Sequence, residues 1–317
     1  MNFSGRLIFP LVLAGAALGC ASSSSSDRAQ FSSPNAAAQS LVDALRTNNR
    51  ARLDEILAPA ADAILSSGDP IADRADAARF LALYDAGHRI QSEPDGVNTL
   101  IVGQDDWPFP VPIVKLQGKY VFDAETGREE ILNRRIGRNE LSAEQVCLAI
   151  VDAQRDYVAL RPMGATLPEY AQKLVSDSGK KNGLYWPTAP GERASPLGPL
   201  VASAATEGYG NATAPSSARP AYHGYHYRLL TSQGPHATGG ALPYLIDGKL
   251  IGGFAVVAYP AQYGNSGIMT FITNHDGILY QRDLGPETEI LAQQFKSFDP
   301  GPGWTKVTDD ARVAQSN

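Results

Sequence analysis

Between Ser33 and Leu57 the apolar residues Ala37, Leu41, Leu45, Leu53, Ile56 and Leu57 recur at three- and four-residue spacings, the period of a helix with one buried face. Ser33 and Pro34 stand where a cap and a first-turn residue belong, and Asn48-Asn49 interrupts the stripe, so a helix that breaks and restarts there is predicted. Asp73 to Tyr84 predicts a second helix, with Ala77, Phe80, Leu81 and Tyr84 on one face. The texture then becomes that of strands. Asn98 to Val102, Val111 to Leu116 and Tyr120 to Asp123 are short and β-rich, and Gln117-Gly118 is a hairpin turn. Thr126 to Arg138 is charged and predicts a helical connector on which Glu130 and Arg134 pair for roughly a few tenths of a kcal/mol. From Asn139, a suitable N-cap, to Leu160 the helical period returns through Ala143, Val146, Cys147, Ile150, Ala153 and Tyr157. A Gly/Pro-rich insert, Lys180 to Pro220, is followed by β segments at Tyr222 to Thr231, Gly253 to Tyr259, Ile268 to Thr273 and Ile278 to Arg282, the last two joined by the turn Asn274 to Gly277.

The predicted class is α+β: N-terminal helices with a curved antiparallel sheet, then a long helix packed on a four-stranded antiparallel meander. The change of texture across Gly137 divides the body into residues 33–137 and 138–317, each expected to hold its own core. Ahead of it, Arg6, the apolar stretch Leu7 to Leu18 and small residues before Cys20 have the layout of a secretory signal over residues 1–19. Residues 20–32 begin with a serine tract that predicts a flexible tether. The cysteine after that signal resembles the lipobox of bacterial lipoproteins, which implies cleavage before Cys20, acylation there, and the membrane as a partner through the lipid anchor. By the same resemblance Ala21 favours delivery to the outer membrane, facing the periplasm.

Composition narrows the function classes. The chain has 317 residues, 43% of them hydrophobic, a net charge of -6 and a pI near 5.4. An acidic body without interleaved basic and aromatic residues argues against nucleic acid as a partner. No apolar run of about 18 residues follows the first twenty, so no helix of the body is expected to span a bilayer. With Cys20 acylated, Cys147 has no partner, and its place in an apolar stripe marks it as a packing residue.

Candidate chemistry is sparse. His223 and His226 are three apart on a predicted strand, where an odd separation sends side chains to opposite faces, so no metal site is expected there. His236 and His275 come from loops and, with Asp276, are the candidate catalytic set of a hydrolase. No nucleophile elbow, phosphate loop or dinucleotide fingerprint occurs, and no cofactor is implied. The densest candidate binding segment runs from Asp105 to Pro110: Trp107 could stack on a ligand while Asp105 or Asp106 accepts hydrogen bonds, with Phe109 beside them, and packing beneath the sheet is the competing use. Tyr185 and Trp186 in the insert form a second candidate platform. Arg134, Arg135 and Arg138 are the one basic cluster, suited to a solvated face, an anion or the other half of the chain.

Three resemblances add to this. The N-terminal pattern of helices and sheet resembles the cone-shaped domain of the nuclear transport factor 2-like superfamily. The order Asn139, Glu140, Ala153, Gln154, Tyr157, then Gly224, Tyr225, Arg228, then Tyr259, Pro260, Gly267, Phe271, Asp276, Gly277 resembles type IV pilin-like globular domains. The strings Asp105 to Pro110, Arg128 to Glu140, Gly183 to Pro187, Ser195 to Leu200 and Ile251 to Phe254 resemble a bacterial family catalogued as domain of unknown function 2950, over nearly the whole mature chain. That resemblance implies an address in the envelope and no activity. The expected role is an envelope lipoprotein acting as a non-enzymatic binding or assembly module, with an envelope protein as a further partner. The alternative is a periplasm-facing hydrolase using His236, His275 and Asp276.

Overall fold

A computed structural model of the chain describes residues 28–162, 164, 166–209 and 221–308, so the candidate anchor Cys20, the signal and most of the tether lie outside the described residues. The folded body begins earlier than the pattern predicts. Ala29 donates its N–H to Glu55 O, and Phe31, 7% exposed, forms a β-bridge to Tyr120, so alternate residues of 28–32 are anchored on the N-terminal half while Gln30 and Ser32 stay exposed.

Helix α1 (Pro34–Arg46) starts at Ser33, whose Oγ accepts the Ala36 N–H, and α2 (Arg50–Ile56) restarts at Asn49, whose Oδ1 accepts that of Arg52. The predicted break sits here because Asn48 takes a left-handed conformation, φ 49°. Short α3 (Ala61–Leu65) follows, then α4 (Pro70–Ala86), which Asp69 caps by accepting from Ile71 N and Ala72 N. Strands β1 (His88–Ser92), β2 (Asn98–Val102), β4 (Ile113–Leu116) and β5 (Lys119–Phe122) form an antiparallel sheet in that order, with β3 (Trp107–Pro108) paired on β2. The β4–β5 hairpin turns through Gln117 and Gly118, both at positive φ, as its sequence predicts. Leu41, Ile56, Leu100, Ile113 and Phe122 lie at the centre of this half's core.

The next element departs from the pattern. Helix α5 runs unbroken from Ala124 to Leu160, through Gly137, where a connector and a separate helix are predicted. Its cap is Asp123, which accepts from Thr126 N, and Asn139 instead points out of the helix to donate its Nδ2–H to Ser266 O at 3.0 Å. A mid-helix glycine costs about 1 kcal/mol relative to alanine, which tertiary contacts of this kind outweigh. At about 1.5 Å per residue the 37-residue helix is about 55 Å long. No helix among the described residues is long and apolar enough to cross a membrane.

Beyond α5 come β6 (Lys173–Val175) and β7 (Gly183–Tyr185), a parallel pair, and α6 (Gly198–Thr206) within the insert. Strand β8 (Tyr225–Leu230) starts three residues later than its pattern predicts, because His223 and Gly224 turn at positive φ. Then follow the small pairs β9 (Ser232–Gln233) with β10 (Leu242–Pro243), and β11 (Leu245–Ile246) with β12 (Lys249–Leu250). Strands β13 (Ala255–Pro260), β14 (Met269–Asn274) and β15 (Tyr280–Asp283), helix α7 (Thr288–Gln294) and edge strand β16 (Thr305–Lys306) complete the described chain. The sheet order is β16-β15-β14-β13-β8, all antiparallel, so the predicted four strands gain a short fifth at the edge. All six residues of β13 are buried, so both its faces are covered, and α5 and α7 both pack against it. A second core, from Ala143 through Phe254 and Phe271 to Val307, surrounds this sheet.

Candidate functional site

A cavity of about 500 Å³ opens beside the C-terminal end of α5, lined by Tyr157, Gly164, Thr166, Glu169, Tyr170, Gln172, Lys173, Asn182 and Lys249. Its walls are fixed by backbone. The helix ends at Arg161, in a left-handed conformation, and the returning chain is clamped to α5 by the buried Gln154, which donates to Ala171 O at 2.9 Å and accepts from Ala171 N at 2.8 Å. On its other side the same segment is tied to the β11–β12 hairpin: Tyr170 N donates to Leu250 O at 2.8 Å, and Gln172 Nε2 to Gly248 O at 2.8 Å. Tyr157 OH donates to Lys181 O at 2.7 Å, and burial pushes its pKa up to about 12, so the phenol stays protonated. Lys173 Nζ is taken by Asp177 at 2.6 Å, and Asn182 by the same carboxylate at 2.9 Å. Among the described residues the Glu169 carboxylate and the Lys249 ammonium make neither a hydrogen bond nor an ion pair. Among the described residues the cavity therefore offers one unpaired anion, one unpaired cation and an aromatic wall.

The sequence-predicted residues lie elsewhere or behind it. Trp107 is half-buried, with the Arg134 guanidinium 5.4 Å from its ring centroid and Phe109 edge-on at 6.5 Å. Phe109 goes on to pack against Phe80 at 5.0 Å and Phe122 at 6.2 Å. Asp106, at φ 55°, pairs with Arg89, whose hydrogen bond holds its carboxyl below the usual carboxylate range, while Asp105 is exposed. Arg134 also reaches Glu130 at 2.6 Å, the predicted i,i+4 pair, and Arg138 reaches Asp76 at 2.6 Å. Arg135 takes the third of the uses open to it in sequence. It is 6% exposed and donates to Ala63 O at 3.1 Å, Ile64 O at 2.8 Å and Asn265 Oδ1 at 2.6 Å, so it closes the C-terminal end of α3 and binds the far half of the chain. Tyr209 makes a second tie between the halves, donating to the buried Asp69 at 2.6 Å. In the insert, Trp186 is 7% exposed, belongs to the C-terminal core and meets Tyr157 edge-on at 6.4 Å, with Tyr185 partly buried beside it. Trp186 thus lies behind Tyr157 in the core, while Tyr185 keeps part of its surface exposed.

The histidines do not converge. His236 pairs with Asp299 at 3.1 Å on an exposed loop. His275 sits between Tyr244 and Phe254, its Nε2 3.8 Å from Asp276 and its buried Nδ1 without a partner among the described residues. No contact among the described residues joins His236 to either. His223 is held in its turn by Glu207 at 3.2 Å, and burial lowers its pKa against the pull of that carboxylate. His226 lies against Tyr259. Among the described residues no group of three or more His, Cys, Asp or Glu is placed to hold a metal ion. Cys147 is fully buried and burial drives its thiol pKa far above the ordinary value, as a packing residue requires.

The cavity residues carry no local motif. Tyr157 reads in sequence as one position of a core stripe, and Glu169, Tyr170, Gln172 and Lys249 are single residues in loops and short strands. The one compositional hint is that four of the chain's eight lysines stand at positions 173, 180, 181 and 249.

Residues 28–307 match the family described as "Protein of unknown function (DUF2950)". No curated protein and no solved structure matches the chain.

Proposed function

We propose that the chain, which belongs to the DUF2950 family, is a lipid-anchored envelope protein that binds a small ligand without transforming it. The observation that carries the proposal is the cavity beside α5: polar and aromatic groups converge there on a rigidly tied frame, and none of its lining side chains pairs a nucleophile with a base. The anchor is Cys20, which holds the protein at the outer membrane facing the periplasm. The N-terminal half, helices against a curved sheet, supports reading it as a cone of the nuclear transport factor 2-like kind, and the long helix on a meander supports a pilin-like C-terminal half.

One observation favours the hydrolase alternative: the His236–Asp299 pair has the geometry of a base and its orienting carboxylate. Two measurements decide. Cys20→Ser should move the protein from the membrane to the soluble periplasmic fraction. A low-molecular-weight extract of the envelope should raise the thermal midpoint of the wild type and not that of Tyr170→Ala, with the ligand recovered unaltered by mass spectrometry. An altered ligand would put the hydrolase reading in its place, and no shift in either protein would remove the cavity as the site.

A further inference from the structure

Resting on the binding reading, we infer that the cavity takes a short zwitterionic peptide, its carboxylate on Lys249 and its ammonium on Glu169. The charges of the site decide the class. Lys173 is already neutralised by Asp177 at 2.6 Å, and Asn182 is committed to the same carboxylate. Lys249 and Glu169 line the same space, have no partners among the described residues, and do not close on each other within 4 Å. A simple anion would meet Glu169 and a simple cation would meet Lys249, each at a cost that grows as water leaves the cavity. A ligand carrying both charges satisfies both groups at once.

Size and lining extend the argument from a zwitterion to a peptide. About 500 Å³ is the volume of a site for a molecule well beyond a single amino acid. Gln172 spends its amide N–H on Gly248 O at 2.8 Å and keeps its Oε1, an acceptor for a peptide N–H. Tyr170, held at 4.9 Å from Phe254 and tied to Leu250 O, presents a fixed apolar wall for the body of the ligand.

The test is calorimetric titration of the mature full-length protein with trialanine, N-acetyl-trialanine, trialanine amide and free alanine. Trialanine should bind, and blocking either end should weaken it about tenfold, the size of one hydrogen bond between charged groups. Glu169→Gln should bind trialanine and its acetylated form alike, and Lys249→Gln should no longer distinguish the amide. Both side chains are at the surface of the cavity, so unchanged thermal midpoints should accompany the altered affinities. Equal binding of free and blocked peptides overturns the zwitterion and leaves the cavity reading standing. Free alanine binding as tightly as trialanine overturns the peptide, and so does the absence of binding by all four probes at millimolar concentration. Cleavage of bound trialanine, seen by mass spectrometry, would support the ligand class and sink the non-enzymatic reading, so the two claims fail separately.

Discussion

Trp186, sealed into the C-terminal core, and Trp107, half-buried under the Arg134 guanidinium, separate the cost of burial from the value of a surface contact. Trp186→Ala is expected to cost about 3–5 kcal/mol, the range for a large buried aromatic. Trp107→Ala should cost about 1–2 kcal/mol, partial burial plus one cation–π contact. Urea unfolding of the two variants measures the difference, and equal losses would mean that Trp107 is a core residue. Glu140 gives the residue scale a pH dependence. It is 5% exposed and accepts the N–H groups of Ile268 at 2.9 Å and Met269 at 3.0 Å, yet loss of hydration outweighs those bonds and raises its pKa above the ordinary 4.5. The folded chain therefore holds this proton more tightly than the unfolded one. The resulting stabilisation is complete below the unfolded value and is lost as pH rises through the raised one. Glu140→Gln keeps an acceptor and discards the charge. Its stability should match the wild type in acid and exceed it at neutral pH, and parallel curves of stability against pH would show that Glu140 titrates normally.

Helix α5 begins against Val111, in the segment just before β4, with almost no clearance. A Cβ on Gly127, in the first turns, would lie 2.7 Å from Val111 Cα and 2.6 Å from its Cγ2. Alanine is the better helix former by about 1 kcal/mol, but the helix cannot seat on Val111 without moving. Gly127→Ala should therefore lower the urea midpoint, where propensity alone would raise it. What the pattern made legible is the local chemistry of elements. The Ser33 cap, the Asn48-Asn49 break and the Gln117-Gly118 turn are decided by residues within one turn of themselves, and each is found where its sequence puts it. The continuity of α5 is decided from a distance. Gly137 and Asn139 are stop and start signals in isolation, and only the Ser266 carbonyl, far along the chain, gives Asn139 a better use than capping. Strand β1 escaped notice because four of its five residues are exposed and no alternation marks it, and α6 because none of its residues is buried. The cavity was illegible for the same reason as the helix: Glu169 and Lys249 come to line one space through the Tyr170–Leu250 tie, between residues far apart in the chain.

At the scale of the whole molecule the two cores are joined by α5, by Arg135 and by the Tyr209–Asp69 hydrogen bond. Arg135 stays charged in a nearly dry setting, its pKa lowered by burial, and three carbonyls and Asn265 supply its acceptors. Arg135→Met strands those acceptors and should cost about 2–4 kcal/mol. It should also pull apart a pair of signals that coincide in the wild type, the far-ultraviolet dichroism and the tryptophan fluorescence followed through urea unfolding. Coincident transitions in the variant would mean that the helix and the Tyr209–Asp69 hydrogen bond couple the halves without Arg135. The same helix limits how the family's genes can change in length. Each residue added to an α-helix turns everything beyond it by about 100° and carries it about 1.5 Å along the axis. Arg135 aims at α3, Asn139 and Glu140 at the segment before β14, and Tyr157 at the cavity. A one-residue insertion among them would leave the first contacts in phase and rotate the last away from its target. Seven residues would restore the phase and push the cavity about 10 Å from the junction. Codons are thus expected to be gained and lost in the loops of this family, while the interval from Arg135 to Tyr157 stays fixed in number whatever letters fill it.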